Sequence, residues 1–570
     1  MKKLKTLLCI LLSFAMLLGF AACGKNDGAA SEDEAATPPS EETAPTQPAA
    51  DENEDVFEIV IPEVNPNLGL EADSLVLIND VQQVLDRPHQ IQPGTKVTIC
   101  INDVPAYTPW NAAAETWLLT NIYEGLVYRY MGRPDDIRPL IAESYTHSDD
   151  RLTWVFQIRK GVKFTDGTVC DAAAIAAAWD YHFEVAPANF NNLNIEIWQA
   201  SGDYELTVQL SSPCPYFEVG ISELYIVSPT AIAEFDVNDN RAAIGTAPYY
   251  VVDYHMSNGF TFKANPNYYL YERLPVIETI ESKVISDDRT KIEFFYDGKL
   301  DVYTTTSSQV YNDLLESGLN ITTLQGNGNC VPIFFNVKET PVFEHYEVRK
   351  AMNRFIDLDE LNATLYEGNG LVQSSIWAVG TLGEVPWPEG FYYDPDEGLA
   401  LLADAGIAPE TIKLKSTINK MAEDLYANIK SQLARVGITF EYEFLGLAAS
   451  SPKPLWDSSI LYGSNGYMNA EPWVPWTFIL MPDALIRHIY TELYDHELYD
   501  AQCSTYEAML SAFTWDEMVT HSKNLTDMVQ KDYVGMPGVQ APYYMAFNAD
   551  LKGIVVITES HVLLWNYLYL

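Results

Sequence analysis

The sequence lacks the patterns that most directly reveal chemistry. Its seven cysteines are scattered without a Cys-x-x-Cys spacing, so it predicts neither a zinc site nor a disulfide framework. Its nine histidines lie far apart, and His-Glu-x-x-His, Gly-x-Ser-x-Gly and a phosphate-binding loop are missing. We therefore expect no metal, no cofactor and no enzymatic activity.

Basic residues are scarce. The chain has 34 Lys and Arg against 79 Asp and Glu, which gives a net charge of −45. Nucleic acid rewards basic surfaces, so we exclude it as a partner. The acidity permits a cationic ligand, although solubility alone explains it as well.

Beyond the N-terminus no apolar run is long enough to cross a membrane. Met1–Lys5 is basic, and Leu7–Phe20 is apolar but falls short of the roughly 20 residues that a spanning helix needs. Ala21-Ala22-Cys23 follows and resembles the bacterial lipobox. We expect a signal peptide and a lipidated Cys23; the alternative is a plain signal peptide with an incidental cysteine.

The segment Gly24–Asp55 contains no aromatic residue and no Val, Ile, Leu or Met. Such a composition buries too little apolar surface to order the chain, so we expect a disordered tether or, alternatively, a pro-segment. Val56–Gln92 has no clear assignment, and Ser74–Leu85 has the composition of an extra helix.

Five cysteines remain after Cys9 in the signal and the lipidated position are set aside: Cys100, Cys170, Cys214, Cys330 and Cys503. We expect buried free thiols. Outside the cytoplasm one bridge stays open, and Cys170 and Cys214 are the nearest pair in sequence.

The remaining chain is too long for one hydrophobic core, so we expect at least two lobes. Thr95–Ile101 reads as a first strand launched by Pro93-Gly94, and helical spacing follows over Glu115–Glu124. A hairpin turns at Asp149-Asp150, and strict alternation then places Leu152, Trp154, Phe156 and Ile158 on one face. Asp171 is a good N-cap for a helix over Ala172–Phe183.

The hairpin region carries the sequence Arg-x-Gly-x-x-Phe-x-Asp-Gly. These residues are Arg159, Gly161, Phe164, Asp166 and Gly167. With the alanine-rich helix that follows, the stretch closely resembles solute-binding family 5, the extracytoplasmic receptors of oligopeptide, dipeptide and nickel ABC importers. Later landmarks keep the order of that family, among them Gly245, Asn265-Pro266, Gly298, Asp301, Val348, Arg349, Asp394-Pro395 and Gly406. Tyr269 stands where the family usually has tryptophan.

The resemblance implies an α/β chain with the two-lobed type II periplasmic-binding-protein fold and an additional outer subdomain in lobe I. The expected division is 1–22 signal peptide; 23–94 lipidated cysteine, tether and uncertain segment; 95–130, 236–330 and 531–570 lobe I; 131–235 outer subdomain; and 331–530 lobe II.

A binding cleft combines a largely apolar or aromatic wall with a few convergent polar groups. Three segments have this composition, the first at 104–116, the second at 374–388 and the third at 461–476. The resemblance places such a cleft between lobes that close about a hinge. The candidate ligand-binding residues are Trp110, Asn111, Glu115, Trp377, Tyr467, Asn469, Glu471 and Trp473.

The third segment departs from peptide-binding members, which commonly read Gly-Trp-x-x-Asp-x-x-Asp-Pro and use the first Asp to hold the α-ammonium group of the peptide. Here Glu471-Pro472 replaces Asp-Pro, and Met468 or, with a small gap, Asn469 takes the ammonium position. A neutral group attracts an ammonium less than a carboxylate does.

We thus expect an extracytoplasmic, lipid-anchored, monomeric substrate-binding protein of an ABC importer that delivers a solute, with peptide first, to the transmembrane permease subunits. The alternatives are a solute sensor uncoupled from transport, an oligosaccharide or metal-chelate receptor, and an extracellular hydrolase.

Overall fold

A computed structural model gives the architecture. It describes residues 76–78, 80–101, 106–110, 116–130, 135–236, 239–253, 259–285, 287–316, 320–324, 332–337, 339–378, 381–387, 389–418, 422–445, 458–462, 497–557 and 562–570. Strands and helices alternate along these residues, which confirms the expected α/β class.

The described helices are α1 (Val81–Leu85), α2 (Thr116–Ile122), α3 (Ala172–Val185), α4 (Pro187–Asn191), α5 (Phe217–Ile221), α6 (Pro229–Glu234), α7 (Asp288–Tyr296), α8 (Ser308–Glu316), α9 (Tyr346–Phe355), α10 (Leu358–Tyr366), α11 (Pro395–Asp404), α12 (Glu423–Arg435), α13 (Glu497–Leu510) and α14 (Trp515–Lys531). Short 3-10 turns lie at Asn240–Ala242, Tyr271–Arg273, Pro341–Glu344, Pro409–Thr411 and Trp565–Tyr567.

The described strands are β1 (Val76–Ile78), β2 (Gln92–Ile101), β3 (Val127–Arg129), β4 (Ile137–Pro139), β5 (Ala142–His147), β6 (Thr153–Ile158), β7 (Ile195–Gly202), β8 (Glu205–Leu210), β9 (Tyr249–Asp253), β10 (Thr261–Ala264), β11 (Ile277–Val284), β12 (Val302–Thr305), β13 (Asn320–Leu324), β14 (Ile333–Phe335), β15 (Leu371–Val372), β16 (Lys413–Ile418), β17 (Thr439–Phe444), β18 (Ile460–Tyr462), β19 (Gly535–Met536), β20 (Val539–Gln540), β21 (Tyr543–Phe547), β22 (Val555–Ile557) and β23 (Val562–Leu563).

A seven-stranded sheet organises the first lobe, in the order β13-β21-β12-β2-β11-β10-β9. β2 runs parallel to β11 and β12, whereas β21 runs antiparallel to β12 and β13. The largest hydrophobic core of this lobe includes Val97, Phe262, Ile280, Phe547 and Trp565. Parallel neighbours need long crossovers, so the chain leaves this lobe and returns to it.

The outer subdomain is an antiparallel sheet in the order β5-β6-β8-β7, with helix α3 packed against it. β5 and β6 form the predicted hairpin, and Trp154, Phe156 and Ile158 are buried on the predicted face. Asp171 caps α3 by accepting a hydrogen bond from the backbone of Ala174 at 2.8 Å, as predicted. Local alternation and capping chemistry therefore decide this region.

The second lobe packs α9, α11 and α12 around the small sheet β18-β14-β19 and the parallel pair β16-β17. Asp394 caps α11 through the backbone N–H of Glu397, with Pro395 in the first turn. Gly406 follows the end of α11 at φ +69°, the left-handed conformation that favours glycine. Family landmarks therefore mark both ends of α11.

Two sequence-based boundaries were wrong. β2 begins at Gln92, so Pro93-Gly94 lies inside the strand; the register against β11 shifts there, which indicates a bulge that accommodates the proline. Helix α2 ends at Ile122, before the predicted Glu124. Gly125 follows, where a Cβ would lie 2.8 Å from the carbonyl oxygen of Ile221, so the close approach of the two backbones requires glycine.

The N-terminal segment that had no assignment belongs to the first lobe. β1 pairs antiparallel with β22, whereas only Val81–Leu85 is helical, so the interpretation of Ser74–Leu85 as one helix was wrong. Arg87 is 3% exposed, and its guanidinium donates to the carbonyl oxygens of Leu274 (2.8 Å), Asn566 (3.1 Å) and Glu272. This residue joins the segment to two distant parts of the chain.

Candidate functional site

The ends of three strands meet in one sheet of the second lobe. Ile333, which opens β14 after the crossover from the first lobe, pairs with Tyr462 on one side and Met536 on the other. Tyr462 ends the strand that leads into the third candidate segment, and Met536 ends the strand before the return crossover. The third segment therefore leaves the sheet beside both connections between the lobes.

Most predicted ligand residues belong to parts of the chain outside the described residues. These residues are Asn111, Glu115, Tyr467, Asn469, Glu471 and Trp473, and the predicted lipidation site Cys23 also lies outside. The residues that the structure describes are Trp110 and Trp377, and their surroundings differ.

Trp110 lies in the loop after the carboxyl end of β2, where ligands of open α/β sheets commonly bind. Its half-buried ring makes edge contacts with Tyr181 and His182 of α3, at 5.2 and 6.1 Å between ring centroids. The base of this loop is fixed, because Tyr123 donates its hydroxyl to the carbonyl oxygen of Tyr107 at 2.7 Å. Trp110 thus stands where the first lobe meets the outer subdomain.

The imidazole behind Trp110 is neutral. His182 is 1% exposed, and burial lowers its pKa to about 4. Its Nε2 lies 2.9 Å from the amide nitrogen of Asn189, which can only donate. This wall of the candidate site therefore carries no positive charge at neutral pH.

Trp377 is enclosed in the second lobe. It is 0% exposed, and its indole N–H donates to Thr526 Oγ1 at 2.8 Å. In the same loop, Ser374 is exposed, and Leu382 and Glu384 are half-buried. A ligand contact of Trp377 stays a prediction. The sequence selected the segment that contains these three neighbours, but none of the three residues individually.

Direct contacts between the lobes lie beside the crossovers. The Ser308 hydroxyl in α8 donates to the carbonyl oxygen of Tyr366, at the end of α10, at 3.0 Å. Asn312 in α8 donates to the Glu367 carboxylate at 3.3 Å. These bonds join the first lobe to the second.

The described side chains offer little for covalent or metal chemistry. Across the described residues, no group of three His, Cys, Asp or Glu side chains is placed to hold a metal ion. The described cysteines are free, as expected. Cys170 and Cys214 are buried, but Cys100 and Cys503 are only half-buried, so the expectation of burial was wrong for these two; Cys330 lies outside the described residues. Burial raises the pKa of Cys100 to about 11 and that of Cys214 to about 12, so neither is a thiolate at neutral pH. In the same residues no helix combines the length and apolar character of a membrane span.

The sequence profile of the bacterial extracellular solute-binding proteins, family 5 Middle, matches residues 136–479. The chain belongs to family 5. The glutathione-binding protein GsiB of Shigella flexneri is 28% identical over 335 residues, which cover 56% of this chain and 63% of that protein. The match to such relatives therefore extends over less than two thirds of their length.

Solved structures show that this family 5 chain shares its two-lobed fold with other binding proteins. NikA from Brucella suis in complex with Fe(III)-EDTA aligns with a TM-score of 0.71 at 19% identity, over 83% of this chain and 99% of NikA. The oligopeptide-binding protein AppA from Bacillus subtilis, in complex with a nonapeptide, aligns with a TM-score of 0.62 at 17% identity, over 84% of this chain and 100% of AppA.

The family 5 landmarks in the outer subdomain hold its loops together. Asp166 accepts hydrogen bonds from the Ser228 hydroxyl at 2.6 Å and from the backbone N–H of Thr168 at 2.9 Å. Arg159 donates to the carbonyl oxygen of Leu140 at 3.2 Å. These contacts occupy both landmark side chains within the subdomain.

A buried carboxylate binds the residue that departs from the family 5 pattern. Glu124 is 2% exposed and accepts hydrogen bonds from the hydroxyls of Tyr268 (2.6 Å), Tyr269 (2.8 Å) and Thr246 (2.9 Å). Burial raises the pKa of both tyrosines, so they stay protonated donors. A tryptophan at position 269 has no hydroxyl to give. Sequence reasoning missed this cluster because its members lie far apart along the chain.

Proposed function

We propose that this chain is the extracytoplasmic solute receptor of an ABC importer, which captures its solute between the two lobes and delivers it to the permease. Membership of family 5 over residues 136–479 is the observation that carries the proposal. The convergence of the third segment with both crossovers at Ile333 supports a site between the lobes. Binding would shift an open–closed equilibrium by its differential affinity for the two states.

We propose a peptide as the first ligand class. GsiB, whose name records glutathione, supports a small peptide, and AppA with its nonapeptide supports the capacity of the fold for peptides. The Fe(III)-EDTA complex of NikA makes a metal chelate the class to test beside it. The neutral Met468 or Asn469 favours a peptide whose α-amino group is not held by an ion pair at that position.

The proposed ligand contacts come from three segments of the chain. In the third segment, Asn469 and Glu471 would bond polar groups of the ligand, and Tyr467 and Trp473 would supply aromatic area. Asn111 and Glu115 would bond polar groups of the ligand from the first lobe. Trp110 would supply aromatic area beside them, and its ring is half-buried against α3. Trp377 would supply an aromatic contact to the ligand from the second lobe.

We propose that 95–130, 236–330 and 531–570 form lobe I, 131–235 the outer subdomain and 331–530 lobe II. The three largest hydrophobic cores of the described residues support three such units, although Tyr533, Met536 and Val539 pack into the core of lobe II. We further propose that the protein is a monomer, anchored by a lipidated Cys23, that binds its solute without altering it. The basic start, the apolar run and Ala21-Ala22-Cys23 support the anchor.

The experiment begins with native mass spectrometry of the purified full-length protein, to identify any solute that it carries. Titration calorimetry with glutathione, trialanine and Fe(III)-EDTA then compares the wild type with Trp110→Ala. We expect the variant to bind about ten-fold or more weakly, since a central aromatic contact is lost. The exposed Tyr296→Ala variant is the control.

Small-angle scattering should show a more compact particle at saturation. Dimensions that do not change at saturation contradict capture between the lobes, and a chemically altered solute contradicts a receptor that is not an enzyme. Binding that is unaffected by Trp110→Ala removes that residue from the site.

A further inference from the structure

The loop of residues 373–387, of which the structure describes 373–378 and 381–387, is held by helix α14. The side chains that hold it are Thr526 and Gln530, one helical turn apart, and both are 0% exposed. Neither residue belongs to a motif that the sequence singles out. Their bonds are made with side chains and backbone groups of the loop.

Gln530 holds both ends of the loop with one amide group. Its oxygen accepts from the backbone N–H of Ile376 and the hydroxyl of Ser375, each at 3.0 Å. Its nitrogen donates to the carbonyl oxygens of Val385 (3.0 Å) and Pro386 (3.4 Å). One side chain therefore fixes the distance between residues 375–376 and residues 385–386 of the loop.

Thr526 holds the middle of the loop. Its hydroxyl accepts the indole N–H of Trp377 at 2.8 Å. Its one proton faces two carbonyl oxygens, that of Gly383 at 2.7 Å and that of Ser522 in its own helix at 3.0 Å. The hydroxyl therefore both accepts and donates, and the large Trp377 ring stays buried beneath the loop. A hydroxyl is needed here, because a methyl group in its place makes neither bond.

The start of the loop is bonded to the return crossover between the lobes. The side chain of Gln373 donates to Gln540 Oε1 at 2.9 Å, and its backbone N–H donates to the carbonyl oxygen of Gly538 at 3.1 Å. Both glutamines are buried, at 2% and 1% exposure. The loop is thus fixed both to α14 and to the segment through which the chain returns to the first lobe.

We infer that Thr526 and Gln530 are positioning residues that hold the loop 373–387 in the shape required to contact the ligand, without touching the ligand themselves. The exposed Ser374 and the half-buried Leu382 and Glu384 are the groups that the loop presents. That the shape of the loop affects ligand affinity rests on the proposed function. That Thr526 and Gln530 fix the shape of the loop does not depend on it.

Hydrogen–deuterium exchange of the full-length protein tests the first step. Thr526→Val keeps the volume and removes the hydroxyl, and Gln530→Met removes the amide. We expect exchange of the backbone amides in 375–387 to rise about ten-fold or more in each variant. Thr526→Ser, which keeps the hydroxyl, should restore wild-type exchange.

Thr520→Val is the matched control on the same helix. Thr520 is exposed and bonds only its own helix, through the carbonyl oxygen of Asp516 at 2.8 Å. Wild-type exchange of the loop in Thr526→Val overturns the inference. An equal rise across the whole second lobe also overturns it, because the two residues would then be general core residues.

Calorimetry with glutathione and trialanine tests the second step. With the loop loosened, we expect affinity to fall about ten-fold in Thr526→Val and to recover in Thr526→Ser. Loosened exchange with unchanged affinity overturns the link to the ligand. If the wild type binds neither probe, the proposed peptide class fails, while the exchange result still decides the role of the two side chains.

Discussion

Arg349 Nη2 lies 2.9 Å from Asp532 Oδ1, and the two side chains are 1% and 4% exposed. Arg349 also donates to the carbonyl oxygens of Asp532 and Phe343, at 2.9 and 2.8 Å. It lies in α9, and Asp532 lies just after α14 and shortly before the return crossover. The family landmark Arg349 thus forms a buried ion pair that joins α9 to the end of α14.

Removing one partner of this pair should be costly. We expect Arg349→Met to lower the free energy of unfolding by about 3–5 kcal/mol, because it leaves the Asp532 carboxylate buried without its cation. Denaturant unfolding measures this. The adjacent exposed pair Lys531–Asp527 is the control, and Asp527→Asn should change stability by no more than about 1 kcal/mol. Equal effects of the two variants contradict the assignment.

Arg87 should be required to hold the N-terminal segment. Arg87→Met leaves the carbonyl oxygens of Leu274 and Asn566 without a donor, so we expect a loss of about 2 kcal/mol or more. Exchange of the amides in Val76–Ile78 should rise as their strand loosens. Arg289→Met, at a site where the side chain is 88% exposed, is the control. Unchanged exchange of β1 would show that its pairing does not depend on Arg87.

Stability should fall at mildly acid pH through His182. Burial lowers its folded pKa from 6.5 to about 4, so the unfolded chain takes up the proton first as the pH falls. The stability that the neutral, buried His182 contributes is therefore complete above pH 6.5. It is lost as the pH falls toward 4, and the total loss is about 3 kcal/mol.

The His182→Phe variant should flatten stability between these pH values, as measured by denaturant unfolding at a series of pH values. The exposed His345→Gln variant controls for loss of an imidazole. A pH profile of His182→Phe that follows the wild type would assign the acid sensitivity to other groups.

The landmark Gly245 should tolerate no side chain. A Cβ there would overlap the carbonyl oxygen of Ile122, and backbone cannot move aside as a flexible side chain can. We expect Gly245→Ala to cost about 1–3 kcal/mol in thermal or denaturant unfolding. Gly202→Ala is the matched control, because its Cβ would meet only Glu205 Cβ, at an ordinary 3.5 Å. A neutral Gly245→Ala variant contradicts this close approach.

The sequence predicts what neighbouring residues decide together. The alternation of Trp154, Phe156 and Ile158 predicts a strand face because side chains of a strand alternate over successive residues. The caps at Asp171 and Asp394 are equally local, since each carboxylate reaches a backbone N–H three residues on.

Contacts between distant residues escaped sequence reasoning. Arg87 bonds Asn566, which is 479 residues away, and no local pattern selects that partner. The hydroxyl that Tyr269 offers to Glu124 was visible only as a departure from the family, because the two residues are 145 apart.

For the candidate site, the family resemblance selected the three segments. The structure then showed which residues surround Trp110 and Trp377. Trp110 follows the carboxyl end of the parallel strand β2, and ligands of open α/β sheets commonly bind at such strand ends. The enclosure of Trp377 depends on Thr526, 149 residues away, and could not be read from either neighbourhood. The expectations on Tyr467 and Trp473 lie outside the described residues.

The pairing of β1 with β22 has a mechanical consequence. Any load applied through the chain ahead of Val76 passes into strands of the first lobe and reaches neither crossover directly. If the protein is tethered at its N-terminus, the first lobe acts as the fixed base and the second lobe as the free arm. Fluctuations of the tether would then reorient the receptor as a whole without pulling it open.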